Sequence, residues 1–208
     1  MLSRLTLLVA LALAPLPAPP VTSPALAALA ATAPKEDLVQ VAIETSAGRI
    51  LIALDRGRAP ITVANFLHYV DTRRYDGQGF YRAMPYAGGG LIQAGVTSDA
   101  RLIYPPIAHE PTSKTGLRNV KGALSMARLD PGSARSDFFI LTTDTPGFDA
   151  GDPGGDRDGF AVFGHVVTGM DTVDKILRAP VSATKGAGVM KGQMLDPGVK
   201  IVRMTRVD

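Results

Sequence analysis

Between Leu38 and Asp55 the sequence reads LVQVAIETSAGRILIALD. Val39, Val41 and Ile43 fall at every second position, and so do Ile50, Ile52 and Leu54 after a break at Ser46, Ala47 and Gly48. A period of two puts each apolar set on one face of an extended strand. Two such runs joined by a short glycine-containing turn predict an antiparallel hairpin with one buried face. A hairpin alone is marginal in water, so further strands or a helix must cover that face. This requirement commits the chain to a β-rich core.

The remaining pattern supplies the cover. Arg56 to Ala59 form a turn, and Pro60 follows where a first helical turn tolerates a residue without an amide hydrogen. In PITVANFLHYVDTRRY, Val63, Phe66, Leu67 and Val70 recur at helical spacing. His68 lies beside that face and reads as a packed or partly exposed histidine, not a ligand. Further strands are predicted at 79–83, 91–94, 123–127, 138–142, 160–167 and 199–207. A second helix is predicted in TGMDTVDKILRAP, with Met170, Val173, Ile176 and Leu177 on its apolar face and Thr168 and Asp171 at capping-box spacing. Many strands, two interspersed helices and turns rich in Gly and Pro suit an antiparallel sheet or closed barrel, not an alternating βαβ sheet.

The 208 residues suit one domain after an N-terminal leader. Residues 1–30 have a short basic start through Arg4, an apolar run from Leu5 to Ala14, and two small-x-small sites, Ala25-Leu26-Ala27 and Ala28-Leu29-Ala30. That is the layout of a secretory signal peptide. Pro15, Pro17, Pro19, Pro20 and Pro24 break the run and argue against a membrane span, although retention as an N-terminal anchor is the competing reading. Residues 31–37 form a flexible N-terminal segment, and 38–208 the folded domain. The protein is expected to be exported, periplasmic or secreted, without stable membrane insertion once the leader is removed.

Several chemistries find no residues to carry them. There is no cysteine, which removes disulfides, thiolate nucleophiles and cysteine-ligated metals. No G-x-S-x-G elbow is present, and Gly88 to Gly90 lack the Lys-Ser/Thr of a phosphate loop. His68, His109 and His165 are far apart. The stretch from Asp149 to Gly159, DAGDPGGDRDG, places glycine and histidine where a calcium loop needs acids, so it reads as a solvated acidic turn. No cofactor is expected. A net charge of +3, with no basic run longer than Arg73-Arg74, is not a nucleic-acid footprint. A chain without such groups can still catalyse a reaction that breaks no covalent bond.

Arg82 stands out in that setting. It follows Phe80 and Tyr81 in a stretch that begins like a buried strand, yet a guanidinium cannot shed its proton and is costly to bury unpaired. It reads either as an arginine snorkelling from a strand edge or as a donor aimed into an apolar groove.

The stretch GALSMARLDPGSARSDFFILTTD, Gly122 to Asp144, resembles the signature of the cyclophilins, a family of peptidyl-prolyl cis–trans isomerases. VANFLHYVDTRRYDGQGFYR resembles that family's first helix and catalytic strand, LIQAG its glutamine motif, and DGFAVFGHVVTGMDTVDKI the strand and helix after the signature. The resemblance implies a mainly β fold: a closed eight-stranded antiparallel barrel capped by two α-helices, with the substrate groove outside it. It also implies that Arg82 and Gln93 are catalytic, the first by donating to the prolyl nitrogen and the second by bonding the substrate backbone. Phe139 would form the floor of a proline pocket. Phe80, Leu91, Met126, Ala127, Arg128, Phe148 and Phe160 would contact substrate, Arg128 largely through its backbone. The implied partners are proline-containing or unfolded polypeptides, served by a monomer that acts in folding.

The chain departs from the family pattern at the pocket. Arg82 and Gln93 are eleven residues apart, three more than usual, with the extra residues in YAGGG. Gly90-Leu91 replaces a common Phe-Met, leaving one wall missing or supplied by Tyr86. Asp137 stands where glutamine is common, and Phe160 where histidine is. There is no tryptophan, and Phe148 is the nearest substitute. Two competing functions follow: a catalytically weak module of the same fold that binds proline-containing segments, and a barrel that carries an apolar ligand in a hollow interior. Without the indole, cyclosporin should bind weakly. Calorimetry measures this directly, and a tight dissociation constant would contradict it.

Overall fold

A computed structural model describes residues 36–86 and 88–207. The expected signal peptide, and the flexible segment as far as residue 35, lie outside the described residues. The elements in order are β1 (Leu38–Thr45), β2 (Gly48–Asp55), α1 (Pro60–Asp71), β3 (Gly79–Tyr86), β4 (Gly89–Gly95), α2 (Thr112–Thr115), β5 (Ala123–Met126), β6 (Phe138–Leu141), β7 (Val162–Thr168), α3 (Met170–Leu177) and β8 (Met194–Val207). The eight strands close into a barrel in the order β1-β2-β7-β5-β6-β4-β3-β8, with every pairing antiparallel.

The hairpin forms as its alternation requires. Val41 faces Ile52 and Ile43 faces Ile50 in the β1–β2 register, and all four side chains are buried. Thr45 closes the turn, its Oγ1 accepting the Ala47 and Gly48 amides at 3.1 Å each. The interior is filled. Phe66 from α1 packs at 5.2 Å between centroids against each of Tyr75, Phe138 and Phe163. These belong to one continuous core that also holds Leu54, Ile92, Leu124, Ile201 and Met204. A barrel packed in this way has no room for an apolar cargo, so the carrier reading fails.

The helices sit at opposite ends of the first hairpin. The chain leaves the Asp55 end of β2 and enters α1 four residues after Arg56, while the turn end packs on α3, where a Cβ at Gly48 would meet Thr172 Oγ1 at 2.6 Å. The α1 start has Pro60 in its first turn and no local side-chain cap. Its free amides are met from afar: Glu110, itself buried, accepts the Ile61 amide at 3.2 Å, the Thr62 amide at 2.8 Å and the Thr62 hydroxyl at 2.7 Å. A carboxylate at a helix N-terminus satisfies both the orphan donors and the dipole. His68 is exposed, and its ring lies 4.1 Å from that of Tyr104.

Three details differ from expectation. The spacing of Thr168 and Asp171 does not form a capping box: α3 is capped by Gly169 in the left-handed region (φ 95°) with no side-chain bond. Thr168 is instead paired in the β7 ladder with Leu51. A third, one-turn helix, α2, lies in the long β4–β5 connection. Glu36 and Asp37, assigned to a flexible segment, pair with Arg58 and Arg56 at 3.2 and 2.8 Å.

Glu110→Ala should lower stability by about 1–3 kcal/mol, because it strands buried donors. Urea denaturation should show a lower midpoint at unchanged slope, and an unshifted midpoint would contradict the capping role.

Candidate active site

The site begins with a break in register. On the β3–β4 ladder Phe80 pairs with Ala94 and Arg82 with Gln93, so Tyr81 is an extra residue. Phe80 and Ala83 point into the core, while Tyr81 and Arg82 both line the outer face. A β-bulge does this: it inserts one residue and re-aims its neighbours. The eleven-residue gap between Arg82 and Gln93 is absorbed because the hairpin continues to Tyr86 and Gly89, which leaves the two residues directly paired.

Arg82 is half-buried and held on three sides. Nε donates to Gln193 Oε1 at 2.8 Å, Nη1 to Gln93 Oε1 at 2.9 Å, and Nη2 to the Met84 sulfur at 3.1 Å. Among the described residues none of these partners is a carboxylate. Burial lowers the guanidinium's pKa from its ordinary value, yet arginine remains protonated in any folded protein. The fork is therefore fixed in direction without having its charge neutralised by a counter-ion.

Beside it lies an apolar floor on the outside of the barrel. Leu91, Ala123, Phe139, Leu141 and Val162 form a second buried cluster, with Met84, Ala127, Phe148 and Phe160 packed on it. The rings of Phe139, Phe148 and Phe160 make a triangle with centroids 5.7, 5.4 and 4.9 Å apart. Polar groups underneath fix two of those rings. Asn119 Nδ2 donates to the Phe148 carbonyl at 2.9 Å and to Asp149 Oδ1 at 3.0 Å. Arg128 donates from Nε to the Gly159 carbonyl at 3.0 Å and from Nη2 to Asp156 at 2.8 Å, with its guanidinium 5.0 Å from the Phe160 ring centre. Burial alone would raise the Asp156 pKa, but Arg128 and the Asp158 and Gly159 amides outweigh it and hold the carboxyl below its usual value.

Arg82, Gln93, Leu91, Ala127, Arg128, Phe139, Phe148 and Phe160 thus come together around one groove of about 1140 Å³. Phe80 and Met126 do not. Both are buried in the barrel interior, Phe80 with its ring 6.0 Å from Phe138, because strand alternation turns them away from the groove. Arg128 presents little of its side chain, which is tied into the 156–160 turn. Tyr86 supplies no wall: its hydroxyl lies 2.8 Å from Thr145 Oγ1, away from the groove. No large side chain fits at position 90, where a Cβ would meet Leu177 at 2.8 Å. The acidic turn is more than a solvated one, since Asp149 is buried on Asn119 and Arg118.

Sequence reading missed Gln193, which lies 111 residues from Arg82 with no local motif to mark it. It also missed the hydroxyl of Tyr81, which donates to Asp137 Oδ1 at 2.5 Å and accepts from Gln93 Nε2 at 2.6 Å. The rim residues Val189, Met190 and Met194 had no signal beyond being apolar.

Residues 40–206 match the family described as cyclophilin type peptidyl-prolyl cis-trans isomerase/CLD. The chain is 42% identical over 159 residues to peptidyl-prolyl cis-trans isomerase A of Dickeya dadantii (strain 3937), covering 74% of this chain and 75% of that protein. It is 36% identical over 140 residues to peptidyl-prolyl cis-trans isomerase B of Escherichia coli (strain K12), covering 65% and 82%. Its fold is similar to that of a Cryptosporidium parvum cyclophilin-type isomerase solved by crystallography, with a TM-score of 0.66 at 20% identity over 83% of this chain and 99% of that one. A second crystal structure of that protein, in the presence of the dipeptide Ala-Pro, gives a TM-score of 0.64 at 20% identity, covering 81% of this chain and 99% of that one.

Burial first, then the charge of Asp137 and its hydrogen bond, push the Tyr81 phenol well above its ordinary 10.0. The folded state holds this proton more tightly than the unfolded one. Its contribution to stability is complete below about pH 10 and is lost as pH rises beyond that. Tyr81→Phe, which has no phenol, should flatten the decline of stability in that alkaline window. Denaturation midpoints measured across it check this, and an unchanged slope would count against the assignment.

Proposed function

The chain belongs to the cyclophilin-type peptidyl-prolyl cis–trans isomerases, and from that premise we propose that Arg82 and Gln93 carry the catalysis, over a proline pocket floored by Phe139. The enzyme rotates an Xaa–Pro amide. That bond turns over in tens to hundreds of seconds unaided because its C–N bond has partial double-bond character. Reaching milliseconds takes about four orders of magnitude, or about 5–6 kcal/mol of barrier.

Twisting the amide breaks its conjugation and localises the lone pair on the prolyl nitrogen. That nitrogen is then an acceptor, which it scarcely is in the planar ground state. A guanidinium fixed beside it stabilises the twisted state selectively, which lowers the barrier instead of merely tightening binding. The pyrrolidine ring sits on Phe139 between Phe148, Phe160 and Leu91. Gln93 bonds the neighbouring backbone through the Nε2 hydrogen that Tyr81 leaves free. Ala127 forms part of the wall, with Arg128 stiffening the turn behind it. The observation that carries this reading is the Arg82 fork, held by neutral acceptors at the edge of the apolar floor.

The same reading extends to the cell. The enzyme acts as a monomer on proline-containing segments of unfolded client chains, outside the cytoplasm. The leader-like pattern of residues 1–30 supports export, and a chain without cysteine is compatible with an oxidising compartment.

Arg82→Ala should reduce kcat/KM on an Xaa–Pro peptide by roughly a hundred-fold or more, with an unchanged circular dichroism spectrum. Wild-type turnover in that variant would sink the catalytic assignment. N-terminal sequencing of the protein from the periplasmic or secreted fraction should read from the residue after Ala27 or after Ala30. A chain that keeps Met1 and sediments with membranes would contradict cleavage.

A further inference from the structure

Four side chains form one hydrogen-bond chain across the β3–β4–β6 face. Arg82 Nη1 donates to Gln93 Oε1 at 2.9 Å, Gln93 Nε2 to the Tyr81 hydroxyl at 2.6 Å, and that hydroxyl to Asp137 Oδ1 at 2.5 Å. The two ends leave no choice of direction. Arginine has only donors, and an ionised carboxylate has only acceptors. Gln93 must therefore turn its oxygen to Arg82 and its nitrogen to Tyr81, and the Tyr81 proton must point at Asp137. Remove the carboxylate and the hydroxyl is free to rotate. Remove the hydroxyl and the Gln93 amide keeps its oxygen on Arg82 but loses the second hydrogen bond, the one that holds the plane of the amide still.

The backbone is arranged for this chain. The extra residue at the β3 bulge is Tyr81 itself, so its ring shares the outer face with Arg82. Position 95 is glycine, and a Cβ there would lie 2.5 Å from Asp137 Oδ1 and 2.6 Å from its Cγ. Only a glycine leaves the carboxylate its place. The second carboxylate oxygen accepts from Ser136 Oγ at 3.1 Å, and that hydroxyl in turn accepts the Val96 amide at 3.3 Å. Asp137 is thereby fixed from the segment leading into β6 and from Val96, just past β4, together.

From this we infer that Tyr81 and Asp137 are positioning residues for the isomerase, setting the orientation of the Gln93 amide and, through it, the aim of the Arg82 fork. The inference rests on the reading that Arg82 and Gln93 act on substrate. Tyr81 and Asp137 touch no reacting atom. Their effect falls chiefly on the rate at saturation, because the fork is needed in the twisted state; the Gln93 bond to the substrate backbone, one contact among those that dock the proline ring, adds only a small change in KM. The two act through one chain, so loss of either link has the same consequence.

The test compares the wild type with Tyr81→Phe, Asp137→Ala, the double variant, Asp137→Asn and Arg82→Ala, using catalysed exchange of an Ala-Pro peptide followed by NMR. Tyr81→Phe and Asp137→Ala should each lower kcat roughly ten-fold with KM within about two-fold. The double variant should lose no more than either single one, as members of a unit do. Asp137→Asn, which keeps an acceptor for the Tyr81 hydroxyl, should recover most of the rate lost in Asp137→Ala. The side-chain amide of Gln93 should be rigid in the wild type and mobile in Tyr81→Phe, by order parameters. Unchanged kcat in Tyr81→Phe, losses that multiply in the double variant, or a change confined to KM would each overturn the inference. Full activity in Arg82→Ala would instead remove the reading beneath it, so the two failures are distinct.

Discussion

A positive charge that cannot be discharged sits half-buried at the edge of an apolar floor, and the site is organised around keeping it there. An isolated ion in such a place is expensive to desolvate. The usual compensation is a carboxylate, which would fix the guanidinium but also cancel much of its field. Here Gln193 and Gln93 oxygens and the Met84 sulfur do the holding. Neutral acceptors satisfy the donors while leaving the net charge uncancelled, available in the proposed mechanism to a nitrogen whose lone pair appears only as the amide twists. The negative charge of Asp137 is kept three hydrogen bonds from the fork, beyond Gln93 and Tyr81.

The barrel makes this arrangement rigid by using the same strands twice. Along β4, Ile92 and Ala94 point inward while Leu91 and Gln93 point outward; along β6, Phe138 and Ile140 point inward while Phe139 and Leu141 point outward. The pocket floor is thus the reverse side of the close-packed core, and neither can shift without the other. The turns that carry Phe148 and Phe160 are less regular, and Asn119, Asp149, Arg128 and Asp156 compensate with buried or half-buried polar contacts. In the proposed mechanism rigidity matters, because an ångström of misplacement at a reacting centre can cost about a hundred-fold in rate.

Much of this was legible in the sequence, for identifiable reasons. The hairpin at 38–55 and the helix at Pro60 depend on local periodicity, and periodicity survives in any tertiary setting. Arg82 was legible because a charged residue in an apolar strand breaks pattern. Features that depend on tertiary register were not. Phe80 and Met126 are apolar neighbours of site residues, but the parity of their strands sends them inside. The bulge at Tyr81 has no composition signal, since neither Gly nor Pro marks it. Gln193 and Glu110 act on partners 111 and 48 or 49 residues away. The spacing of Thr168 and Asp171 misled because the β7 ladder takes Thr168 first and leaves Gly169 to start the helix.

The central claim is that a fixed fork, and not positive charge alone, does the work. Arg82→Lys separates the two, since lysine keeps the charge on a flexible stem and cannot bond Gln93 and Gln193 with one rigid plane. The measurement is the exchange rate of an Xaa–Pro peptide at saturation, alongside its dissociation constant by titration. The account predicts a binding constant close to that of the parent and a rate reduced toward the uncatalysed value. A lysine variant that isomerises the bound peptide as fast as the parent would contradict it.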